Sequence, residues 1–330
     1  MYKKIALILG ANGQDASYLA ELLIKKNYEV HGTIRRNSVP ESQTTRIELL
    51  RKNNQIGLHY MDLTDPISVE SIINELKPDE IYHLAAQSHV QISFELPKYT
   101  LDVNGGGTLA VLEAVRKFSP KSKVYHAATS EMFGNCVDDD FYQRETTRLS
   151  PVSPYGCSKL YAHTLCHNYR NAYDMFICSG ILFNHESPRR GINFVTNKVV
   201  LEAVKIKLGL SNELLLGNLG AMRDWGHAKD YVQGMWLMLQ QETPDDYVLA
   251  TGVSKSVRQL VEYVFDKLEL DSSKYVKSDD KFQRAEELHF LHGDASKAKE
   301  KLGWEPIYTF ETMLDEMIEY WIEILTPKNI

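Results

Sequence analysis

The sequence has few of the features that mark secreted, membrane-spanning or nucleic-acid-binding proteins. It holds only four cysteines in 330 residues and no C-x-x-C pair, and the apolar run after its basic start is about seven residues, short for an export signal. No apolar run approaches the roughly 20 residues that span a bilayer. The formal net charge of −7 is spread along the chain, which disfavours nucleic acid or an anionic membrane as a partner. We therefore expect a cytoplasmic protein with reduced thiols.

The chain also lacks tandem repeats, low-complexity tracts and a linker rich in proline or glycine. Short apolar runs recur instead, separated by segments with helical periodicity, at residues 4–10, 28–34, 57–62, 80–85, 123–129 and 175–182. Such alternation predicts an α/β fold with a doubly wound parallel sheet, covered by helices on both faces. From about residue 186 the alternation is less regular. One large domain or two closely joined domains fit the length.

No third glycine follows the two in the turn after the first predicted strand, which reads GANGQDA. Gly10 and Gly13 permit tight backbone geometry and close approach of a pyrophosphate, whose charge meets the free N–H groups of the next helix. Ala16 stands where a third glycine is common. The flanking strand and helix favour a dinucleotide-binding turn over an ordinary strand-to-helix connection. The cofactor contacts predicted here are Gly10, Asn12, Gly13, Gln14 and Asp15.

An acid is missing at the end of the second predicted strand, where NAD-binding folds usually hold the ribose hydroxyls. The segment reads GTIRRNS, and Arg35, Arg36 and Ser38 suit the 2′-phosphate of NADP, so we expect NADP rather than NAD. The alternative is a pair of solvated arginines in a loop. After the third strand, Asp62 and Leu63 are predicted to bracket the adenine, although Asp62 could equally be a turn residue.

Tyr155 and Lys159 form the pattern Y-x-x-x-K on a predicted helix that a Ser-Pro pair opens. This spacing puts both side chains on one helix face, where an ammonium near a phenol favours the ionised phenol. The phenol could then act as a base, with an oxidised nicotinamide adding to the effect. Glu131 stands two residues after Thr129, at the end of the fifth predicted strand. Hydride transfer alone has no need of that carboxylate.

Together these features resemble the extended short-chain dehydrogenase/reductase family over residues 1–185, roughly. In that family a Thr or Ser, a Tyr and a Lys do the acid–base and orienting work. Its sugar-nucleotide 4,6-dehydratases place an acid two residues after the Thr, whereas its simple reductases and 4-epimerases do not. The chemistry explains the acid, because oxidation of a hexose at C4 acidifies the C5 proton. A carboxylate can remove that proton as the C6 hydroxyl leaves as water, and the stored hydride returns to C6.

Further stretches resemble the GDP-mannose 4,6-dehydratase branch nearly end to end: GQDASYLAELL, HLAAQSHV, GILFNHESPRRG, LGNLGAMRDWGHAKDYV and KAKEKLGW. The resemblance implies 4,6-dehydration of a GDP-hexose, by default GDP-mannose, to a GDP-4-keto-6-deoxyhexose. Alternatives that share the site are the same reaction on GDP-N-acetylglucosamine or a GDP-heptose, or a GDP-sugar reductase or epimerase. A non-catalytic NADP-sensing regulator is disfavoured because the Tyr/Lys pair is intact.

The resemblance also assigns roles to residues. Thr129 would hydrogen-bond the sugar C4 oxygen, Tyr155 take its proton, and Lys159 bind the nicotinamide ribose and tune Tyr155. Glu131 would act at C5 and C6. Further cofactor contacts implied are Leu84, Ala86, Ser88, Tyr99, His185 and Arg190, besides Tyr155 and Lys159. The substrate contacts implied are Ser88, Glu131, Asn184, Lys198, Gly217, Arg223, Arg284 and Glu287. The segment near Glu287 lacks the family's usual proline.

The resemblance further implies two domains, each formed from two separate stretches of the chain. We expect an NADP-binding domain from residues 1–185 and about 225–253, and a GDP-sugar domain from residues 186–224 and 254–330. Relatives form homodimers or homotetramers, and we expect one of these. His227 and Asp230 suggest a metal site, but no cysteine or further histidine lies at ligand spacing, so we expect no metal.

Overall fold

A seven-stranded parallel sheet forms the centre of the molecule. The computed structural model describes residues 3–36, 44–279 and 286–326, so the predicted cofactor residue Ser38 and the predicted substrate residue Arg284 lie outside the described residues. The strands in the described ranges are β1 (Ile5–Leu9), β2 (Glu29–Ile34), β3 (Gly57–Tyr60), β4 (Glu80–His83), β5 (Lys123–Thr129), β6 (Ile177–Leu182), β7 (Asn184–Glu186), β8 (Leu214–Leu216), β9 (Met222–His227), β10 (Asp246–Leu249), β11 (Ser254–Ser256) and β12 (Val276–Ser278).

Helices connect most of the strands. They are α1 (Gln14–Lys25), α2 (Glu48–Lys52), α3 (Pro66–Leu76), α4 (Val90–Glu95), α5 (Pro97–Leu101), α6 (Gly107–Phe118), α7 (Pro154–Tyr173), α8 (Val195–Lys207), α9 (Ala228–Leu239), α10 (Val257–Lys267), α11 (Ser272–Tyr275), α12 (Ser296–Leu302) and α13 (Phe310–Leu325). A π-helical turn joins α5 to α6, and a short 3-10 turn follows β5. Among the described residues, no helix has both the length and the apolar composition needed to cross a membrane.

The order of the large sheet is β10-β6-β5-β4-β1-β2-β3, and every neighbouring pair is parallel. This order confirms the predicted doubly wound sheet, and the six predicted strands are all present. The sequence pattern did not predict β10, which completes the sheet beside β6. The order reverses between β1 and β4, whose carboxyl ends border the crevice where ligands bind in sheets of this kind.

Apolar side chains cover both faces of the sheet. In β1, Ala6 and Ile8 enter the core formed with α1 and α9, whereas Leu7 and Leu9 enter the core formed with α3 and α6. A strand buried on both faces has no polar side to show, which explains the unbroken apolar run of β1.

A second apolar core lies outside the large sheet and joins α8, α10 and α13. Two small sheets accompany it, in the orders β11-β9-β7 and β12-β8. Because β7 follows β6 closely and pairs in parallel with β9, the β9 segment lies next to the carboxyl ends of the large sheet. Ala298 and Trp304, near the C-terminal end of the described chain, pack into the core of α1 and α9 and not into this second core.

Candidate active site

The helix α7 carries the predicted acid–base pair. Ser153 caps it by accepting a hydrogen bond from the Gly156 N–H at 3.0 Å, and a proline follows at the first helical position. Tyr155 and Lys159 are both buried, at 9% and 5% exposure. The Lys159 Nζ donates to the carbonyl oxygen of Ala127 at 3.0 Å, which fixes the lysine against β5.

The end of β5 carries the predicted threonine and carboxylate. Thr129 is the last residue of the strand, and its Oγ1 accepts a hydrogen bond from the Glu131 N–H at 3.2 Å, which starts the 3-10 turn. Glu131 is 8% exposed. The short turn therefore holds the carboxylate at the carboxyl edge of the sheet.

Thr129, Glu131, Tyr155 and Lys159 line one cavity of about 910 Å³. The two halves of the predicted chemistry, a phenol and a carboxylate, thus face the same space. The negative charge of Glu131 contributes to raising the pKa of Tyr155, so the two groups are close enough to interact. This arrangement can present two groups that transfer protons, a phenol and a carboxylate, to one bound molecule.

The ionisation of Tyr155 and Lys159 is strongly affected by burial. Burial raises the pKa of Tyr155 to about 12, against the opposing effects of a hydrogen bond with Thr129 and the charge of Arg190. Burial lowers the pKa of Lys159 to about 8. Deprotonating this phenol near neutral pH therefore requires more positive charge in the cavity, as an oxidised nicotinamide ring would bring.

The turn after β1 fits a dinucleotide. Gly10 has φ +86°, and a Cβ there would come within 2.9 Å of the Ala85 Cα, so only glycine fits this turn against the segment that follows β4. The helix α1 begins at Gln14, and Gly13 before it provides no side-chain cap. The first N–H groups of α1 are thus left for an anion such as a pyrophosphate.

His185 and Asp15 form a largely buried ion pair beside this turn. The His185 Nε2 lies 2.8 Å from the Asp15 Oδ2, and its Nδ1 lies 2.7 Å from the Phe183 carbonyl oxygen. Burial opposes both charges, but the charge of each partner and the hydrogen bond between them raise the pKa of His185 and lower that of Asp15. Gln14 Nε2 also donates to the His185 carbonyl oxygen at 3.0 Å. These contacts join the phosphate turn to the chain after β6.

Arg46 and Arg189 reinforce this junction, and neither was predicted from the sequence. The Arg46 guanidinium donates to the Arg189 carbonyl oxygen at 2.7 Å and to the Asn12 carbonyl oxygen at 3.1 Å, and the Arg46 N–H donates to Asn12 Oδ1 at 3.0 Å. Arg189 in turn donates to Ser17 Oγ and to Glu21. The double arginine of PRRG was the available signal for Arg189, whereas nothing in the sequence pattern distinguishes Arg46.

Arg190 points along the same junction but has different partners. Its Cζ lies 3.7 Å from the centroid of the Phe194 ring, and its Nε lies 3.1 Å from the Glu186 Oε2. Both Glu186 and Arg190 line the cavity. The ion pair and the ring fix the guanidinium at the cavity wall.

Residues at the predicted adenosine end do not line this cavity. Arg35 hydrogen-bonds the Tyr99 hydroxyl, and the Arg36 guanidinium lies 5.5 Å from the Tyr60 ring centroid. Asp62 Oδ1 accepts from the backbone and hydroxyl of Thr64, as a turn residue does. The Leu63 side chain is buried in the core under α6, so an adenine contact there would use its backbone.

The predicted nucleotide-sugar contacts among the described residues all line the cavity: Ser88, Glu131, Asn184, Lys198, Gly217, Arg223 and Glu287. Leu84 and Ala86 line it too. Arg223 is 6% exposed, and its Nη2 lies 3.6 Å from the Glu287 Oε1. Lys198 Nζ donates to the Leu215 carbonyl oxygen at 2.6 Å. The cavity wall thus also carries the positive side chains of Arg223 and Lys198, which lie far in sequence from Glu131 and Tyr155.

His227 and Asp230 have structural partners. His227 Nε2 lies 3.1 Å from the Glu316 Oε2, and its ring stacks on Tyr308 at 4.0 Å. Asp230 accepts from the backbone N–H groups of Ile307 and Tyr308 at 3.0 Å. In the described parts of the chain, no three His, Cys, Asp or Glu residues group as metal ligands would.

Comparisons with known proteins place the chain among nucleotide-sugar enzymes. The model of the family "GDP-mannose 4,6 dehydratase" matches residues 7–317. GDP-mannose 4,6 dehydratase 2 of Arabidopsis thaliana is 50% identical, over 99% of this chain and 89% of that protein. The enzyme of Cricetulus griseus is 48% identical over 98% of this chain and 92% of its own length. The Vibrio cholerae enzyme is 45% identical over 96% and 93%.

Solved structures of lower identity share the fold. A UDP-glucose 4-epimerase from Thermotoga maritima, solved with UDP-glucose, matches with a TM-score of 0.86 at 24% identity, over 98% of this chain and 100% of that one. DesIV, a dTDP-glucose 4,6-dehydratase from Streptomyces venezuelae with NAD and TYD bound, matches with a TM-score of 0.84 at 22% identity, over 97% of each chain. The same fold therefore serves more than one reaction, and the cavity residues must decide between them.

Proposed function

Because this chain belongs to the GDP-mannose 4,6-dehydratase family, we propose that it removes water from GDP-mannose to give GDP-4-keto-6-deoxymannose. The observation that supports this most strongly is that Glu131 and Tyr155 line one cavity. A reductase or epimerase would need only the phenol. The relatives at 45–50% identity do not favour the alternatives, namely the same reaction on GDP-N-acetylglucosamine or a GDP-heptose, or a GDP-sugar reductase or epimerase.

A nicotinamide cofactor suits the phosphate turn. When bound, it supplies the hydride acceptor for C4 of the sugar and the hydride donor for C6. Gly10, Gly13 and the start of α1 would hold its pyrophosphate, and the His185–Asp15 pair would lie beside it. Lys159 would hydrogen-bond the nicotinamide ribose from α7.

We propose that Tyr155 takes the proton of the C4 hydroxyl while the hydride leaves C4. Thr129, which hydrogen-bonds the phenol, would hold the same C4 oxygen. The positive ring of the oxidised cofactor and the charge of Lys159 would together bring the phenol into a useful range, since burial alone raises its pKa to about 12.

Glu131 then acts on the adjacent carbons. It removes the C5 proton, which the C4 ketone has made acidic, and gives a proton to the C6 hydroxyl, which leaves as water. C6 receives the hydride and C5 receives a proton from solvent. The product is therefore lighter than the substrate by one water, and the cofactor ends in the state in which it began.

We propose NADP as the cofactor, with NAD less favoured. Arg35 and Arg36 lie at the end of β2, where an acid would hold the ribose of NAD, and they can pair with a 2′-phosphate. Ser38 would add a hydroxyl there. Titration with both cofactors, followed by protein fluorescence, tests this: Arg35→Ala should weaken NADP binding more than NAD binding, and equal losses would count against it.

The GDP portion would lie toward β9 and α8. Arg223 and Lys198 provide positive charge for the diphosphate, and Asn184 and Gly217 line the same wall. Glu287 would reach the nucleotide ribose, and Arg284 would add a further cation. We also propose His185 and Arg190 as contacts of the cofactor.

We propose the two-domain division as predicted, with one change. Ala298 and Trp304 pack with α1 and α9, so we propose that residues 295–304 belong to the cofactor-binding domain. A homodimer or homotetramer, and a cytoplasmic location, remain proposals. Light scattering coupled to size exclusion tests the first, and fractionation of the source cell tests the second.

The test of the proposed function is incubation of the purified protein with NADP and GDP-mannose in deuterated water. We expect a product that has lost one water and gained solvent deuterium at C5, by mass spectrometry and NMR. UDP-, dTDP- and CDP-sugars serve as controls and should be left unchanged. Absence of water loss from every GDP-sugar would refute the proposed reaction.

A further inference from the structure

A row of polar side chains crosses the large sheet on the face that α6 and α7 cover. His83 of β4 is the register partner of His126 of β5, and His126 is the partner of Ser179 of β6. All three are buried. Val124 and Ile177, two residues earlier on the same face, belong to an apolar core. A polar row in such a layer needs a physical reason, since burying polar atoms is costly.

Most ring nitrogens of the histidines in this row lack a hydrogen-bond partner. Within the described part of the chain, neither ring nitrogen of His126 has a partner, and neither does the Nδ1 of His83, whose Nε2 lies 3.1 Å from the Thr108 Oγ1. The Nδ1 of His163, on α7, is also buried without a partner there. Leaving a buried donor or acceptor without a partner destabilises the fold. Buried polar groups are usually bonded to one another or to ordered water. We name His83, His126 and His163 the histidine cluster.

The histidine cluster lies directly behind the predicted catalytic lysine. Lys159 precedes His163 by one turn of α7, and its Nζ donates to the carbonyl of Ala127, the residue after His126. Burial lowers the pKa of His126 well below its ordinary value, with Lys159, His83 and His163 acting in the same direction. Burial and then Lys159 lower the pKa of His83 to about 3. Both rings are therefore neutral near pH 7, and a neutral imidazole has one donor and one acceptor.

His163 connects the cluster to the surface. It is only partly buried, whereas His83 and His126 are fully enclosed. Burial lowers the pKa of His163, and Asp246, Arg170 and His167 also act on this pKa. Titratable groups thus extend from Lys159, one turn after Tyr155 on α7, to His126 and on to His163.

The proposed reaction, on which this inference rests, needs such a connection. In each turnover the bond between O4 and its proton breaks, and the proton is transferred to Tyr155. The product is a ketone at C4 and does not take the proton back, whereas C5 must gain one from solvent. Tyr155 therefore has to release one proton before the next cycle. When a substrate fills the cavity, the buried phenol does not meet bulk water on that side, so the proton needs another route.

We propose that the histidine cluster holds buried water behind Lys159 and carries the proton from Tyr155 to solvent. Lys159 passes the proton from the phenol to this water. The imidazole of His126 then accepts a proton at one ring nitrogen and releases one from the other, so no net charge stays in the layer. His163 delivers the proton to bulk water. His126 acts through Lys159 and is a positioning residue, not a contact of the substrate.

The test compares His126→Leu and His126→Gln with Val124→Ala. The control shortens an apolar side chain on the same strand and the same face and removes no polar atom. NADP-loaded protein turns over GDP-mannose in H₂O and in D₂O, and the first turnover is resolved from the steady state. We expect His126→Leu to keep the first oxidation, because the NADP-loaded protein has time to release the phenol proton before GDP-mannose is added. We expect it to lose more than about tenfold in steady-state rate, with a larger solvent isotope effect. His126→Gln should restore part of the rate, because an amide donates and accepts. Val124→Ala should change stability only.

An unchanged steady-state rate and isotope effect in His126→Leu would overturn the proposed route. Failure of the proposed function would look different, because the unmodified protein would then release no dehydrated product. A crystal structure of the unmodified protein that resolves ordered water gives a second test that needs no variant. We expect a water within hydrogen-bond distance of a His126 ring nitrogen, and a dry layer at that position would overturn the proposal.

Discussion

Two buried glutamates at opposite ends of the large sheet show how position decides what a carboxylate does. Glu80 begins β4 at the amino end and is fully buried, where it accepts hydrogen bonds from Lys4 Nζ (3.0 Å), Tyr28 OH (3.0 Å), Tyr82 OH (2.8 Å) and Gln240 Nε2 (3.3 Å). Glu131 follows β5 at the carboxyl end and lines the cavity with Tyr155. The first acid is enclosed by donors from separate elements, and the second faces a space that a substrate can enter.

The difference follows from the architecture of a parallel sheet. The carboxyl ends of the strands open into the crevice where the strand order reverses, and side chains there can meet a ligand. At the amino end, hydrogen-bond partners enclose Glu80 and leave it no contact with solvent. We therefore expect substitutions at the amino end to change stability and those at the carboxyl end to change activity.

Removal of one hydroxyl from each end separates the two roles. Tyr155→Phe should lower turnover of GDP-mannose by about 10²–10⁴-fold, the usual contribution of a positioned acid–base group. Its urea unfolding curve should be nearly unchanged. Tyr82→Phe is the matched control, since it removes the bond to Glu80; it should cost about 1–3 kcal/mol of stability and keep the activity per folded molecule. Loss of stability in Tyr155→Phe together with loss of activity in folded Tyr82→Phe would contradict this division of roles.

Removal of the amino-end carboxylate should give the largest loss of stability. Glu80→Leu leaves the hydroxyls of Tyr28 and Tyr82 and the amide of Gln240 without their acceptor, and it leaves Lys4 unpaired. We expect a loss of about 1–3 kcal/mol for each enclosed donor left without an acceptor, whereas Lys4 is half exposed and can be solvated. Urea unfolding measures it. Loss of dehydratase activity in the fraction that remains folded would show that this end also serves catalysis.

The ion pairs at the two ends should respond differently to pH. The pKa of His185 is raised, so the contribution of its pair with Asp15 is complete below about pH 6.5 and is lost as the pH rises through the folded-state value. The pKa of Asp15 is lowered, so at the acid side the contribution is lost only below about pH 4. The stability difference between the unmodified protein and His185→Gln should shrink from pH 6.5 to pH 9.

The amino-end pair provides the control for this pH dependence. Glu80 raises the pKa of Lys4 above 10.5, despite the opposing effect of burial, so its contribution persists throughout that range. The stability difference between the unmodified protein and Lys4→Met should stay constant from pH 6.5 to pH 9. If the stability differences of His185→Gln and Lys4→Met changed equally with pH, the two ion pairs would not differ as proposed.

The smallest effect is expected from the middle of the sheet. The Tyr125 hydroxyl is buried in β5, and among the described residues it has no hydrogen-bond partner. Tyr125→Phe removes an unsatisfied group and should raise stability by up to about 1 kcal/mol with no change in activity. Thermal unfolding measures the shift. A clear loss of stability would indicate a bond to ordered water at this hydroxyl.

The sequence predicted the carboxyl end far better than the amino end. Six of the seven strands of the large sheet are recognisable in the sequence as apolar runs. The turn after β1 and the residues around β5 and α7 are local motifs. The short strand β10 has only four residues and lies between turns, so its pattern was too weak.

Contacts between distant segments could not be predicted. Arg46 and Arg189 are 143 residues apart, and Gln240 lies 160 residues from Glu80. Neither pair has a local motif, and only the folded chain brings its members together. The same holds for the histidine cluster, whose residues read as parts of ordinary strands and of a helix.

The role of Glu131 is tested most directly by Glu131→Gln, mixed with NADP and GDP-mannose in a single turnover and compared with Glu80→Gln. Absorbance reports reduction of the nicotinamide, and mass spectrometry reports loss of water. We expect Glu131→Gln to oxidise C4 and accumulate reduced cofactor without losing water, while Glu80→Gln dehydrates GDP-mannose normally. Dehydration by Glu131→Gln at the unmodified rate would contradict the proposal that this carboxylate and Tyr155 act on the same sugar.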